Sequence, residues 1–593
     1  MRAIILIFFI SVTICNAQTT QWVKSCGGPN SDKGINIGVD ALGFVYIGGY
    51  FNGSATFGAY TVNSAGPSDK DFFVAKMDLD GNFLWANSGG GYIDDRMLGM
   101  RVDPDGNIYC TGTFWGSAGA DFGPSISISG GGFDQTFLAK MDANGNWLWA
   151  REFGAPGTGT YSLPAPIYTV WIGDDHGYDL KTDDLGNIYI TGWWSGIDAY
   201  FDSFALNNPS WTADTTTMAY VAKMDPVGNF LWVKKFDGVQ DKRGERDNRL
   251  AIDQNNNVYV TGGFKNVGVY GNDTLVSRGD WDIYVIKLND LGDFQWARRA
   301  GSEKGDRGNG IAIAPDGDIY IDGEFRNDAD FGLDTLNHKG RKDIFVAKLR
   351  PNGDWVWARR AKRSEGKDKS NQMCVDNDEN VFICGEVGDT VRFGDTIINN
   401  LYDDQNPFVA QLNKSGGWLW AKVGGSPSLN ERANDVVVDF DGNTYVVGYY
   451  EGSADFDGHY ITSEGAKDIF IWKIDKYIDP IPDIPIVVNP TVPVEVNPSI
   501  SEENRVSIPM AFSPNGDGNN DVLMVYGSQI QYVAFDIYGR WGNSIFTTTD
   551  KMQGWDGISK GKEASSGVYV YTVKVTYYNG TTEVVTGDVT LVR

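Results

Sequence analysis

The chain is patterned as short segments of alternating apolar and polar residues that return in a fixed order. An aromatic-x-x-Gly phrase stands at Val45–Gly49, Ile108–Gly112, Ile188–Gly192, Val258–Gly262, Ile319–Gly323, Val381–Gly385 and Thr444–Gly448, with a mean spacing near 66 residues. A second phrase follows each copy: FFVAKMD ends at Asp78, TFLAKMD at Asp142, AYVAKMD at Asp225, IYVIKLN at Asn289, IFVAKLR at Arg350, PFVAQLN at Asn413 and IFIWKID at Asp475. A third phrase centres on Trp85, Trp149, Trp232, Trp296, Trp357 and Trp420. The seventh period lacks this last phrase, and the missing piece stands at the other end as QWVKSCGG around Trp22. Each period holds four alternating segments, such as Gly310–Ala314, Asp318–Phe325, Ile344–Leu349 and Trp355–Arg359, with Asp-, Asn- and Gly-rich turns such as DLDGN (78–82) between some of them. Four strands repeated radially make a β-propeller, and a displaced terminal strand that completes the last blade removes the open edge. The pattern predicts seven blades over 18–478, closed by an N-terminal strand.

These phrases resemble the bacterial β-propeller repeat family, in which G-N-x-Y-x-T-G, F-V-A-K-x-D-x-x-G-N and L-W-A alternate, and the resemblance covers roughly Gln21 to Lys476. It implies the fold and leaves activity open, because such folds carry many functions. Residues 479–505 hold Pro480, Pro482, Pro485, Pro490, Pro493 and Pro498 among β-branched residues, as an extended spacer does. Residues 506–593 return to period-two alternation at Tyr569, Tyr571, Val573 and Val575, which predicts a small Ig-like β-sandwich.

The segments IPMAFSPNGDGNNDV (508–522), FDIYGRWGNSIF (535–546), GWDG (554–557), GVYVYTV (567–573) and GDVTLVR (587–593) resemble the gliding-motility-associated C-terminal domain, the type B sorting signal of type IX secretion in Bacteroidetes. The matching motif residues are Pro514, Asn515, Gly516, Asp517, Gly518, Asn520, Asp521, Arg540, Trp541, Gly542, Trp555, Asp556 and Gly557. The resemblance implies Sec export, passage through the outer membrane by the type IX machinery, and release or retention at the surface. Participation in gliding does not follow, since many cargoes share the signal. An export leader is expected at residues 1–17: Arg2, an apolar run from Ala3, and the small-residue site Cys15-Asn16-Ala17 before Gln18. Lipidation of Cys15 is the rival reading, and Ile14 stands where it would want a small residue. No later stretch has the apolar length of a membrane helix.

Charge narrows the partners. The 593 residues carry 50 Lys plus Arg against 77 Asp plus Glu, a formal −27, most of it upstream of the C-terminal segment. Such a chain repels nucleic acid, and mutual repulsion favours a monomer. Cys26, Cys110, Cys374 and Cys384 form no C-x-x-C pair; Cys374 and Cys384 flank one turn and are open to either a bridge or burial.

No catalytic motif is found, so a secreted binding or adhesion protein is expected rather than an enzyme, with glycan or a surface protein as partner. Two alternatives stay open: a polysaccharide-active enzyme with its site in the funnel, and a structural surface component. No single Asp or Glu is read as standing out from its repeat equivalents. The recurring Lys76, Lys140, Lys223, Lys287, Lys348 and Lys473, with Asp71, Asp134, Asp282, Asp343 and Asp468 upstream, read as an Asp–Lys couple that ties strands together or satisfies loop backbone groups. The pairs Asp32-Lys33, Asp95-Arg96, Asp306-Arg307, Asp368-Lys369 and Glu431-Arg432 read the same way. The third period departs from the rest through an insertion at Gly154–Tyr178, and it is rich in aromatics. Tyr161, Tyr168, Trp171, His176, Trp193, Trp194 and Trp211 are therefore the candidate ligand-binding residues, with stacking on a sugar ring or peptide as the chemistry; packing of the insertion into its own core is the competing reading. Asp517, Asn519 and Asp521 stand at alternate positions like the first half of a calcium loop, against the reading of an Asx-rich turn.

Overall fold

The computed structural model describes residues 18–477, except 67–68, 132–133, 156–174, 197, 209–216, 237–247, 333, 340, 363–365, 400–404 and 427–430. It also describes 506–592, except 507, 510, 515–521, 527–529, 540–543, 550, 552, 560–561, 565 and 578–580. The chain divides into two compact units, Met1–Pro480 and Ile481–Arg593. All regular structure among the described residues is β.

The first unit holds seven four-stranded antiparallel sheets. In the fifth, Arg307–Ile313, Ile319–Phe325, Asp343–Leu349 and Trp355–Arg360 follow one another outwards in chain order. The first strands of the seven sheets are Lys33–Val39, Arg96–Val102, Asp175–Thr182, Arg249–Ile252, Arg307–Ile313, Lys369–Val375 and Arg432–Val438. Each packs against the next and the last packs against the first, so the sheets close a ring, a β-propeller with these strands innermost. The last sheet takes its outer strand from the N-terminus: Thr20–Cys26 pairs with Asp468–Ile474, Cys26 opposite Ile469. Trp22 thereby meets Tyr445 edge-on at 6.1 Å, as Trp85 meets Tyr46 at 6.2 Å. The Trp85, Trp232 and Trp296 indole N–H groups donate to turn carbonyls of the following sheet, at Ala143, Asp290 and Pro351. The recurring tryptophans thus pack between blades.

The core lies in the seams: Ile47 and Phe73 of the first sheet cluster with Val447 and Ile471 of the last. Each period also carries a short ribbon that the four-segment pattern did not anticipate, for example Ala329–Phe331 with Asp334–Leu336. Its Ala-x-Phe residues, such as Ala55 and Phe57 or Ala454 and Phe456, are buried. In the fourth sheet the ribbon is continuous with two long strands, Val258–Tyr270 and Asp273–Leu288. The D-x-x-G-N turns close on their own aspartate: Asp78 Oδ1 accepts the Asp80 and Asn82 amides at 3.0 and 2.8 Å, and Gly81 takes φ +79°.

In the second unit, one sheet runs in the order Ala511–Phe512, Thr582–Leu591, Gly567–Tyr577, Ile530–Tyr538, Ser544–Thr548. Tyr569, Tyr571, Val573 and Val575 all face its buried side, as their alternation predicts. Trp555 is wholly buried and donates to the Ile558 carbonyl at 3.0 Å, while Asp556 accepts the Ile558 amide and Gly557 takes φ +76°. Pro514 is half-buried. Asn515 to Asp521, Arg540, Trp541 and Gly542 lie outside the described residues, and with them the Asp517, Asn519 and Asp521 calcium proposal.

A basic and aromatic collar at one mouth of the ring

The glycine of the repeated phrase sets the geometry here. A β-carbon at Gly49 would lie 2.0 Å from the Lys33 carbonyl oxygen; at Gly112, 1.9 Å from that of Arg96; at Gly323, 2.0 Å from that of Arg307; at Gly448, 1.9 Å from that of Arg432. Only glycine admits that carbonyl. Just inside it each of these innermost strands bulges, at Ile35, Leu98, Asn309 and Asn434. Three bulge residues then staple neighbouring innermost strands: Asn309, Asn371 and Asn434 donate to the carbonyls of Ser370, Ala433 and Gly34 at 2.8, 2.8 and 2.7 Å.

The same register puts one basic residue at the start of six innermost strands, on one side of the ring: Lys33, Arg96, His176, Arg307, Lys369 and Arg432. Their partners on the second strands are Tyr50, Thr113, Trp193, Glu324, Glu386 and Tyr449. Lys33 sits over Tyr50 and Tyr449 at 5.7 and 4.7 Å, Arg96 over Tyr50 at 5.8 Å, and Arg307 over Trp281 at 5.4 Å. Arg432 pairs with Glu386, its Nη2 3.1 Å from Oε1. Lys342 reaches both oxygens of buried Glu324, at 2.7 and 2.8 Å, and with Lys369 and Arg307 holds that carboxyl below its usual range despite burial. In the third sheet the imidazole of His176 is stacked between Trp193 (4.5 Å, 17°) and Tyr178 (5.8 Å, 13°), with Nε2 3.7 Å from Asp134.

Of the residues singled out from the sequence, His176 and Trp193 therefore meet at the collar. Trp194 does not: it is wholly buried in the core. It occupies the position of Phe51, Phe264 and Phe325, second after the repeat glycine, whereas Trp193 occupies that of Tyr50 and Tyr449. Tyr161, Tyr168, Trp171 and Trp211 lie outside the described residues.

Other expectations need correction. In the Asp–Lys couple the aspartate satisfies loop backbone amides, one of its two expected roles, rather than reaching the lysine. Asp71 caps the Ala65 amide at 2.9 Å, whereas Lys76 lies over Phe44 and Tyr46 at 4.1 and 4.9 Å, 3.9 Å from Asp40. Asp134 is also not the equivalent of Asp71: Asp71 opposes Phe51, and the same register point in the second sheet is Gln135, opposite Phe114. That one-residue step turns Asp134 to the other face, towards His176. In the acid–base pairs before the innermost strands, the acid is buried and structural while the base stands at the mouth. Cys374 and Cys384 are free, opposite Phe382 and Gln372.

An acidic residue does break the repeat. Asp322 stands where the other second strands have Gly48, Thr111, Thr191, Thr261, Cys384 and Val447. Burial pushes its carboxyl up to about 7; Ser370 donates to it, and Oδ1 has no partner. Being wholly buried, it presents nothing to a ligand.

Residues 506–591 match the CHU_C Type IX secretion signal domain. Over 521 residues the chain is 22% identical to an uncharacterized WD repeat-containing protein of Acanthamoeba polyphaga mimivirus, an alignment covering 72% of this chain and 36% of that protein. The chain thus spans about a third of the length of the curated relative it matches. Among solved structures, it is similar to an ulvan lyase (13% identity, 61% of this chain and 81% of that one, TM-score 0.33). It is also similar to the NanB sialidase of Streptococcus pneumoniae (9% identity, 76% and 94%, TM-score 0.33). The molecule is a β-propeller repeat protein that carries a type IX secretion signal domain. That domain addresses it to the type IX secretion machinery, so the chain is exported to the cell surface or secreted.

Proposed function

We propose that this exported propeller is a binding or adhesion protein whose ligand seats on the collar, at the Tyr178–His176–Trp193 ladder. The ladder is the observation that supports the reading. Three parallel rings run from the bulge of an innermost strand to the mouth, with the Asp134 carboxylate alongside. Flat, partly exposed rings beside hydrogen-bonding groups suit the face of a sugar or the side chains of a peptide. Two carboxylates of the mouth are committed to cations, Glu386 to Arg432 and Glu324 to Lys342, which favours binding over catalysis there. The test is adhesion of the purified full chain to whole cells and insoluble polysaccharide, with product release assayed on the same samples. Retention without product, lost in Trp193→Ala, supports the reading; steady release of oligosaccharide would replace it with the enzyme alternative.

A further inference from the structure

The fifth sheet breaks the repeat at a second place, on its outer side. The turn that leads into each outer strand opens on Asp78, Asp142, Asp225, Asn289 or Asn413, and in the fifth sheet on Arg350. At two other seams this acid faces a base from the preceding sheet's outer strand, Lys24 before Asp78 and Arg151 before Asp225. The corresponding base of the fourth sheet is Arg298, and the turn it faces carries Arg350 instead of an acid. Arg298 lies over Trp296 at 5.3 Å and donates to the carbonyls of Gly353, Ala297 and Asn352 at 3.1, 2.9 and 3.2 Å. Those bonds leave two of the five N–H donors of a guanidinium unused. Among the described residues, Arg350 makes no side-chain hydrogen bond, and no carboxylate lies within ion-pair distance of either guanidinium. Both arginines line one groove of about 720 Å³, whose wall also holds Trp355, Val356 and Asp354. Trp355 is half-buried and held in place: it meets Phe331 edge-on at 5.5 Å, and a β-carbon at Gly332 would lie 2.7 Å from its Cδ1. Asp354 accepts the Asn352 side-chain amide at 2.8 Å.

We infer that this groove binds an acidic sugar unit of a polysaccharide, its carboxylate or sulfate held by Arg298 and Arg350 and its ring against Trp355. The groove lies at the turn after Leu349, the opposite end of the sheet from Arg307 and the collar, so the inference goes beyond the collar reading and does not rest on it. Exchanging the turn acid for Arg350 turns a seam that elsewhere neutralises itself into one that lacks its anion, on a chain of formal charge −27. Guanidinium forks match the paired oxygens of such anions. The volume suits a small ligand, and a fixed indole beside two polar groups is how such sites orient a ring. A neutral sugar would leave the arginines without a counter-charge. A bare inorganic anion, or the acidic side chain of a peptide, would satisfy them and leave the indole idle.

The experiment measures binding of the full chain to polygalacturonate, a sulfated galactan, uncharged dextran and polyglutamate, with galacturonate and inorganic sulfate as competitors. The expected result is binding to one or both acidic polysaccharides, weakened at least tenfold by Arg350→Asp, which restores the acid of the other turns opposite Arg298. Trp355→Phe, the residue type of Phe83, Phe230 and Phe294 at this position, gives a smaller loss. Lys414→Asp makes the same change of charge at the exposed turn of the next sheet and should leave binding within about twofold. The melting temperature of Arg350→Asp should hold, since Asp78 at this position caps the Asp80 and Asn82 amides, and this separates lost binding from lost fold. Undiminished binding in Arg350→Asp, or an equal loss in Lys414→Asp, would overturn the site. Equal binding of dextran would overturn the acidic class. Preference for polyglutamate, or competition by sulfate as strong as that by galacturonate on polygalacturonate, would overturn the sugar. Binding to none of the four polymers would overturn the inference as a whole and leave the collar to its own test.

Discussion

Buried carboxyl groups face each other across the seams, and substituting one of them should alter how stability depends on pH. Where the ring closes, Asp32 accepts the Gly28 and Asn52 amides at 2.7 and 3.0 Å, and Asp468 accepts that of Glu464 at 2.9 Å through Oδ2. Asp468 Oδ1 is buried without a partner. Both carboxyls close on one glycine: a β-carbon at Gly27 would lie 2.9 Å from Asp32 Oδ2 and 3.0 Å from Asp468 Oδ1. Cys26, Tyr450 and Glu464 are the other titratable neighbours, and burial raises Cys26 and Tyr450. Burial also raises the Asp468 carboxyl, with Glu464 adding to it. Burial, with Asp468 adding to it, pushes Asp32 from 3.8 up to about 6.

A folded-state value raised above the unfolded one means stability that is complete below about pH 3.8 and is lost as pH rises through about 6. The full loss is about 3 kcal/mol, of which about 1.5 kcal/mol falls between pH 5 and pH 8. Asp468→Asn removes the neighbouring charge and keeps an acceptor for the Glu464 amide. Urea unfolding followed by tryptophan fluorescence at pH 5 and pH 8 should show the parent chain less stable at pH 8. The variant should be more stable than the parent at pH 8, and the difference between the two pH values should shrink but persist, since burial rather than Asp468 is the main cause of the Asp32 shift. Asp78, Asp142 and Asp225, held below the usual range by turn hydrogen bonds, titrate beneath this window. An unchanged slope in the variant would refute a part for Asp468 in raising Asp32. The sixth seam is built in the same way without a second acid: Asn406 Oδ1 and Glu431 Oε2 lie 3.1 and 2.1 Å from where a β-carbon on Gly425 would stand.

Trp194→Ala should cost about 3–5 kcal/mol in urea unfolding, as loss of a wholly buried indole does, while Trp193→Ala should change unfolding little and act on adhesion. Deleting Thr20–Cys26 strips the outer strand from the last sheet and exposes Asp468–Ile474 as an edge; size-exclusion chromatography should show association. Removing 506–593 should leave the chain inside the outer membrane, read by fractionation and immunoblotting. Reductant should leave unfolding unchanged, since the four cysteines among the described residues are free.

The architecture was legible because the strands repeat. The glycine phrase, the tryptophan phrase and the displaced Trp22 phrase were enough to close the ring. The ribbons were missed although Ala-x-Phe recurs before five of the seven third strands, because strands of three or four residues leave little alternation to detect. The site was only half legible. Length and aromatic content drew attention to the third period, but Trp193 and Trp194 differ in fate solely because successive strand residues face opposite ways. Aligning each with Tyr50 and Phe51 would have separated them. Lys33 and Lys467 share the ring of Tyr449 only once the ends of the propeller meet, a contact across more than 400 residues that no local pattern encodes. Asp322 was visible in IYIDG and was passed over.

The most direct test of the binding account is a glycan-array screen of the purified full chain beside Trp193→Ala. The account predicts a restricted set of bound glycans whose signal falls in the variant while its melting temperature holds. Identical signals from the two proteins would contradict it.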